Sequence, residues 1–146
     1  MTPRELIGRF YEELNRRDLD AATQLVHPDF SEQWPQSGER VVGPRNLRAI
    51  IENYPGGISF DTPAYHGRDE EWAMAPNFTV VRITDSGNSG TAVIKVRYPD
   101  GSEWWMIALF EIKDDRLYRQ TTFFAAPFEA PEWRAQWVER DPGLAS

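Results

Sequence analysis

Residues 27–54 read HPDFSEQWPQSGERVVGPRNLRAIIENY. This stretch predicts a strand, a tight return and a helix. Strand side chains alternate between the two faces, so Phe30, Glu32 and Trp34 in a strand over 29–34 share one face. Two bulky apolar groups flanking a carboxylate are what a pocket wall with a single ionisable group would carry. Pro35-Gln36-Ser37-Gly38 supplies the turn, and 39–42 a short return strand. Gly43-Pro44 then opens a helix with proline at its first position. Leu47, Ile50, Ile51 and Tyr54 follow at i, i+3, i+4 and i+7, one apolar face, and Pro55-Gly56-Gly57 ends it.

Upstream, Thr2-Pro3-Arg4-Glu5 is a capping box with proline at the first helical turn. Leu6, Ile7, Phe10, Tyr11 and Leu14 then recur at helical spacing. That helix should end near residues 15–17. Asp18 is placed to cap a second, shorter helix over 19–26. Pro28 should terminate it, leaving His27 as a C-terminal cap. Downstream of residue 58 the apolar period changes to two. Strands are predicted at 58–66, at 72–74 continuing past Pro76 as 78–84, and at 91–98, 102–112 and 117–124. Asp85-Ser86-Gly87-Asn88, Pro99-Asp100-Gly101 and Lys113-Asp114-Asp115 are the turns between them. Connections this short make neighbours antiparallel. A last short helix is expected at 130–139, with Trp133 and Trp137 on one face. Those rings and Phe128 should cover something: the mouth of a pocket, the outside of the sheet, or a partner.

The 146 residues fit one domain, 1–146, large enough to bury a core. Aromatic residues make up 13% of the chain and apolar residues 40%, which excludes disorder. A net charge of -7 argues against nucleic acid and against anionic membrane as partners. With no cysteine, disulfides, thiolate nucleophiles and cysteine-bound zinc are excluded. No apolar run is long enough to span a bilayer, and the N-terminus lacks the apolar core of a signal peptide, so a cytoplasmic protein is expected. His27 and His66 have no partner at ligand spacing, so neither metal nor cofactor is expected. Three helices followed by a twisted, mostly antiparallel sheet is an α+β order. Such a sheet, strongly curved and closed at one end by helices, makes a cone with an internal pocket.

RFYEELNRRDLDAATQLVHPDF (residues 9–30), GPRNLRAII (43–51) and RLYRQTTFF (116–124) resemble the SnoaL-like group of nuclear transport factor 2-like proteins. The resemblance covers residues 2–125 and leaves 126–146 as an extension. It implies a cone-shaped cavity and a homodimer formed through the outer sheet face. The superfamily holds isomerases, cyclases, epoxide hydrolases, dehydratases and non-catalytic assembly proteins, so the fold does not select a reaction. Ketosteroid isomerases use a tyrosine on the first helix, a base at the end of the first strand and a second acid on a later strand. Matched residue by residue, Phe10, Trp34 and Ala108 stand at those positions, so the resemblance implies that this isomerase chemistry is absent. Thr122 stands where the cyclases place an acid.

In the register of that match, Trp104, Met106, Ala108 and Phe110 point inward from one strand. Tyr118, Gln120, Thr122 and Phe124 point inward from the next, and a one-residue slip would invert both sets. The expected ligand-binding set is Phe10, Trp34, Tyr54, Trp104, Met106, Gln120, Thr122 and Phe124. Glu32 is the candidate catalytic residue: an apolar site would raise its pKa and suit it to general acid or base work. The other reading leaves Glu32 solvated at the rim or paired with Arg40 across the hairpin. The expected partner is a small apolar or aromatic molecule, with isomerase, dehydratase or hydrolase activity through Glu32. The alternative is a non-catalytic dimeric binding or assembly module with a filled cone.

Overall fold

A computed structural model describes residues 1–54, 77–98 and 101–141. The strands expected at 58–66 and 72–74, the break at Pro76, and His66 lie outside these residues. The described chain is α+β. Helices α1 (Pro3–Asn15), α2 (Leu19–Gln24) and α3 (Gly43–Glu52) pack on a mixed six-stranded sheet. Its strands are β1 (Val26–Trp34), β2 (Glu39–Val42), β3 (Asn77–Ser86), β4 (Ser89–Arg97), β5 (Glu103–Lys113) and β6 (Arg116–Ala125). They lie in the order β2-β1-β6-β5-β4-β3. β1 runs parallel to β6, and every other pair is antiparallel. Among the described residues no helix is long and apolar enough to cross a membrane.

The helices start where the caps dictate. Thr2 Oγ1 accepts from the Glu5 backbone N–H at 3.1 Å, and the Glu5 carboxylate accepts from Thr2 N–H at 2.8 Å. The pair satisfies two of the donors that a helix N-terminus leaves open. The chain then reverses at Arg17, whose φ of 62° is left-handed. Asp18 accepts from Ala21 N–H at 3.0 Å to start α2. Leu6, Ile7, Phe10, Tyr11 and Leu14 face the sheet and join Phe30, Ile94, Val96, Phe110 and Leu117 in one core. Asn15 ties α1 to β3: its amide donates to Phe78 O at 2.7 Å and accepts from Phe78 N–H at 2.9 Å.

Two expectations are corrected here. α2 stops at Gln24, with Leu25 as its C-cap, and β1 begins at Val26. The residue before a proline avoids the α region, so Pro28 makes His27 extended one residue before its own position in the chain. His27 is therefore a buried strand residue and not a helix cap. Its Nδ1 accepts from Asp29 N–H at 3.0 Å and its Nε2 lies 3.3 Å from the Asp114 carboxylate. The second correction concerns Tyr118. The β5–β6 register passes from Glu111–Arg119 to Ile112–Leu117, so Tyr118 is an extra, bulged residue. A bulge breaks strict alternation. Leu117 takes the inward position, and Tyr118 packs against His27 and the cations of Lys113 and Arg119.

Two glycines separate backbone entropy from packing. A Cβ at Gly8, inside α1, would meet Ile83 Cδ1 at an ordinary 3.7 Å. Gly8→Ala is therefore expected to stabilise the fold by about 0.4–1 kcal/mol. A Cβ at Gly90, in β4, would lie 2.5 Å from Cδ1 of the fully buried Ile7. Gly90→Ala is expected to cost about 1–3 kcal/mol, because close-packed neighbours yield poorly. Urea melts of both variants check the opposite signs.

Candidate functional site

Between α1, α3 and the sheet lies a cavity of about 210 Å³. Its described lining is mostly apolar, with Arg17, Glu32 and Gln120 as the charged and amide residues among it. The topology explains how Glu32 arrives there. β1 lies parallel to the last strand, and Glu32 is the cross-strand partner of Gln120. The same face of β6 carries Thr122 two residues on, and alternation on β1 brings Trp34 beside Glu32.

Glu32 is 5% exposed. Three donors converge on its Oε2: Thr122 Oγ1 at 2.6 Å, Trp34 Nε1 at 2.8 Å and Gln120 Nε2 at 3.1 Å. Gln120 Nε2 also donates to Thr122 Oγ1 at 2.9 Å. A hydroxyl has one proton. Thr122 gives it to Glu32 and so receives the amide of Gln120, which fixes the orientation of that amide. None of the three donors takes Oε1. Burial raises the Glu32 pKa, while the bonds from Thr122 and Trp34 oppose the rise. Rim solvation and a pair with Arg40 are both set aside by this geometry, since Glu32 is buried and Arg40 is exposed.

Phe10, Trp34, Tyr54, Met106, Gln120 and Phe124 line the cavity together with Glu32. Two members of the expected ligand set do not. Thr122 is fully buried behind Glu32, so it positions the carboxylate and does not face the hollow. Trp104 is not among the lining residues. Its ring meets the edge of Tyr98 at 5.5 Å, and Tyr98 stacks on Tyr54 at 5.8 Å. Tyr98 thus occupies the wall position expected of Trp104.

Tyr11 and Arg17 were not among the expected site residues. Tyr11 is 2% exposed, and its ring packs at 5.3 Å against Phe10 and 6.3 Å against Phe110. Burial, then the charge of Glu32, raises its pKa well above the ordinary phenol value, and the adjacent Gln120 side chain pulls the other way. The hydroxyl of a tyrosine on the apolar face of α1 was the signal, since a buried hydroxyl needs a partner. Arg17 donates from Nη1 to Leu14 O at 2.8 Å, and burial lowers its pKa to about 10. Its place in the wall follows from the left-handed turn, which residue type alone does not reveal.

The Thr122 bond carries a prediction. Thr122→Val removes the shortest donor to Glu32 and leaves burial less opposed. The Glu32 pKa is expected to rise further, moving the acid limb of any pH–rate profile upward. The pH dependence of the Glu32 side-chain carbon shift by NMR checks it, and a pKa that falls would reject it.

The geometry agrees with the comparisons. The SnoaL-like domain family matches residues 7–120, and the chain belongs to that family. Its fold is the nuclear transport factor 2-like fold. An NTF-2 like protein of unknown function from Burkholderia xenovorans LB400 is 28% identical, with TM-score 0.72, over 95% of this chain and 94% of the other. A putative ketosteroid isomerase from Kribbella flavida DSM 17836 is 24% identical, with TM-score 0.76, over 96% and 90%. An LEH-like epoxide hydrolase from M. tuberculosis is 15% identical, with TM-score 0.63, over 82% and 80%. No curated protein matches the chain significantly.

Proposed function

We propose that this protein binds a small, flat, mostly apolar molecule in its cavity and transfers a proton to or from it through Glu32. The carrying observation is the set of three donors on Oε2 of a buried carboxyl. They hold one oxygen in place and leave Oε1 as the atom for proton exchange. The raised pKa suits a group that takes up a proton and gives it back. A cofactor-independent isomerase, dehydratase or hydrolase reaction fits such a site. Bulges in β1, β3 and the β5–β6 pair support a strongly curved sheet with the hollow on its concave side, because bulges add twist.

A thermal-shift screen of flat apolar molecules tests the binding step, since a ligand selective for the native state raises its melting temperature. Failure of every such molecule to shift melting would remove the binding reading.

The outer sheet face supports a homodimer. Ile107 and Phe123 are cross-strand partners, and with Leu109 they form an exposed apolar strip. Trp133 and Trp137 of the short 3₁₀ helix (Glu132–Trp137) are each 71% exposed and would find cover against that partner. Ile107→Arg is expected to convert a dimer to a monomer by light scattering. An unchanged mass would place the contact elsewhere.

A further inference from the structure

The parallel pairing of β1 with β6 reaches Gln33 and Thr121. Just beyond it the two strands carry an aromatic pair of the cavity wall. The rings of Trp34 and Phe124 meet edge-on at 6.0 Å. A side chain takes over the pairing there. Gln36, in the turn after β1, donates from Nε2 to Phe124 O at 2.6 Å and accepts at Oε1 from Phe124 N–H at 2.5 Å. A glutamine amide carries the donor and the acceptor of a peptide group. Gln36 therefore does for Phe124 what a neighbouring strand does, satisfying both main-chain groups of one residue.

The turn passes that hold on to Trp34. Ser37 and Gly38 both donate their N–H to Trp34 O, at 3.2 and 2.9 Å. Gln36 thus lies inside a turn closed on the Trp34 carbonyl and is fixed at its far end to Phe124. Trp34 in turn gives its indole N–H to Glu32 Oε2 at 2.8 Å. Gln36 is exposed, so water competes for both of its bonds and they add little stability. What two bonds from one planar amide onto one residue fix is geometry.

We propose that Gln36 is a positioning residue: its amide clamp on Phe124 holds the Trp34 indole where it donates to Glu32 Oε2. Gln36 is not among the residues lining the cavity, and it acts through Trp34. Without the clamp the Trp34–Phe124 pair can slide and the indole bond loosens, while Glu32 keeps Thr122 and Gln120 as donors. The bond from Trp34 favours the charged carboxyl, so loosening it leaves burial less opposed and raises the Glu32 pKa. The inference deepens the reading of Glu32 as the proton-transfer group, but its test needs no ligand.

The test is NMR on the full chain. Two signals are followed: the Trp34 indole N–H, assigned among the six tryptophans by its loss in Trp34→Phe, and the pH titration of the Glu32 side-chain carbon. Gln36→Met keeps the length of the side chain and removes both bonds. Its indole proton is expected to move upfield, as a weakened bond requires, and the Glu32 titration to move to higher pH. Its melting temperature should fall by about 5 °C or less. Gln36→Glu keeps an acceptor for Phe124 N–H and loses the donor to Phe124 O, so both signals should fall between wild type and Gln36→Met. Asn15→Ala is the control. Asn15 makes the same two-bond clamp on Phe78, in part-buried surroundings, so its loss costs at least as much stability. It should leave both signals at their wild-type values. Unmoved signals in a folded Gln36→Met would overturn the positioning role, and so would an Asn15→Ala variant that moves them equally. If Gln36→Met does not fold, Gln36→Glu against Asn15→Ala decides. Signals that move as expected alongside a failed thermal-shift screen would remove the ligand reading and leave the role of Gln36 standing.

Discussion

Glu32→Gln is expected to lower turnover of any substrate the cavity accepts by about a hundredfold or more, the usual size of a general acid–base contribution. The substitution is nearly isosteric. A glutamine carbonyl can replace Oε2 as acceptor for Thr122, Trp34 and Gln120, so the wall should keep its shape. Only the exchangeable carboxyl proton is lost. The expected result is therefore a fall in kcat with ligand affinity changed little, and unchanged turnover would remove Glu32 from the mechanism. The same variant has a second readout that needs no substrate. Burial holds the folded-state pKa of Glu32 above its ordinary 4.5, so the folded chain binds that proton more tightly than the unfolded chain. The resulting stabilisation is fully present below the unfolded pKa and is lost as pH rises through the folded one. Glutamine does not ionise. At about pH 8 the variant should melt no lower than wild type, and its advantage should shrink toward about pH 4. A wild type that gains on the variant as pH rises would contradict a destabilised carboxylate.

Much of the fold was legible because local signals agree with one another. The capping box, the Asp18 cap and the apolar spacing of α1 and α3 all describe a helix that tertiary packing then uses. The cavity face of β1 was legible for the same reason: alternation alone places Phe30, Glu32 and Trp34 together. The failures have physical causes. Tyr118 was misplaced because one bulged residue shifts the face of everything before it, and a bulge leaves little mark in residue type. His27 was misread because proline acts on the residue before it, so the strand starts earlier than a terminator reading suggests. Thr122 and Gln120 share an inward face with the expected ligand contacts, but hydrogen-bond direction divides their roles. That division depends on three-dimensional distances to Glu32 across the parallel β1–β6 pair. Tyr11 was visible as core and not as a polar group, because helical spacing reports burial and says nothing of where a hydroxyl points.

Phe110→Ala should have the largest effect on stability, because this ring supports the core and the site at once. Phe110 is almost fully buried in β5, opposite Gln120, and its ring meets Tyr11 edge-on at 6.3 Å. Truncation removes a large apolar side chain and leaves a void that strands on both sides keep from collapsing. The expected cost is about 3–5 kcal/mol, a large share of a typical domain's stability. At about 2–4 °C per kcal/mol, melting should fall by about 6–20 °C. Phe110→Leu, which keeps most of the volume, should lose far less. The two variants also separate stability from site geometry. The void would free the Tyr11 ring and loosen the backbone opposite Gln120, so Phe110→Ala should weaken ligand binding well below its melting temperature. Phe110→Leu should bind nearly as wild type. Full affinity in a folded Phe110→Ala protein would mean that Tyr11 and Gln120 are held by α1 and the Thr122–Glu32 network alone, without the core beneath them.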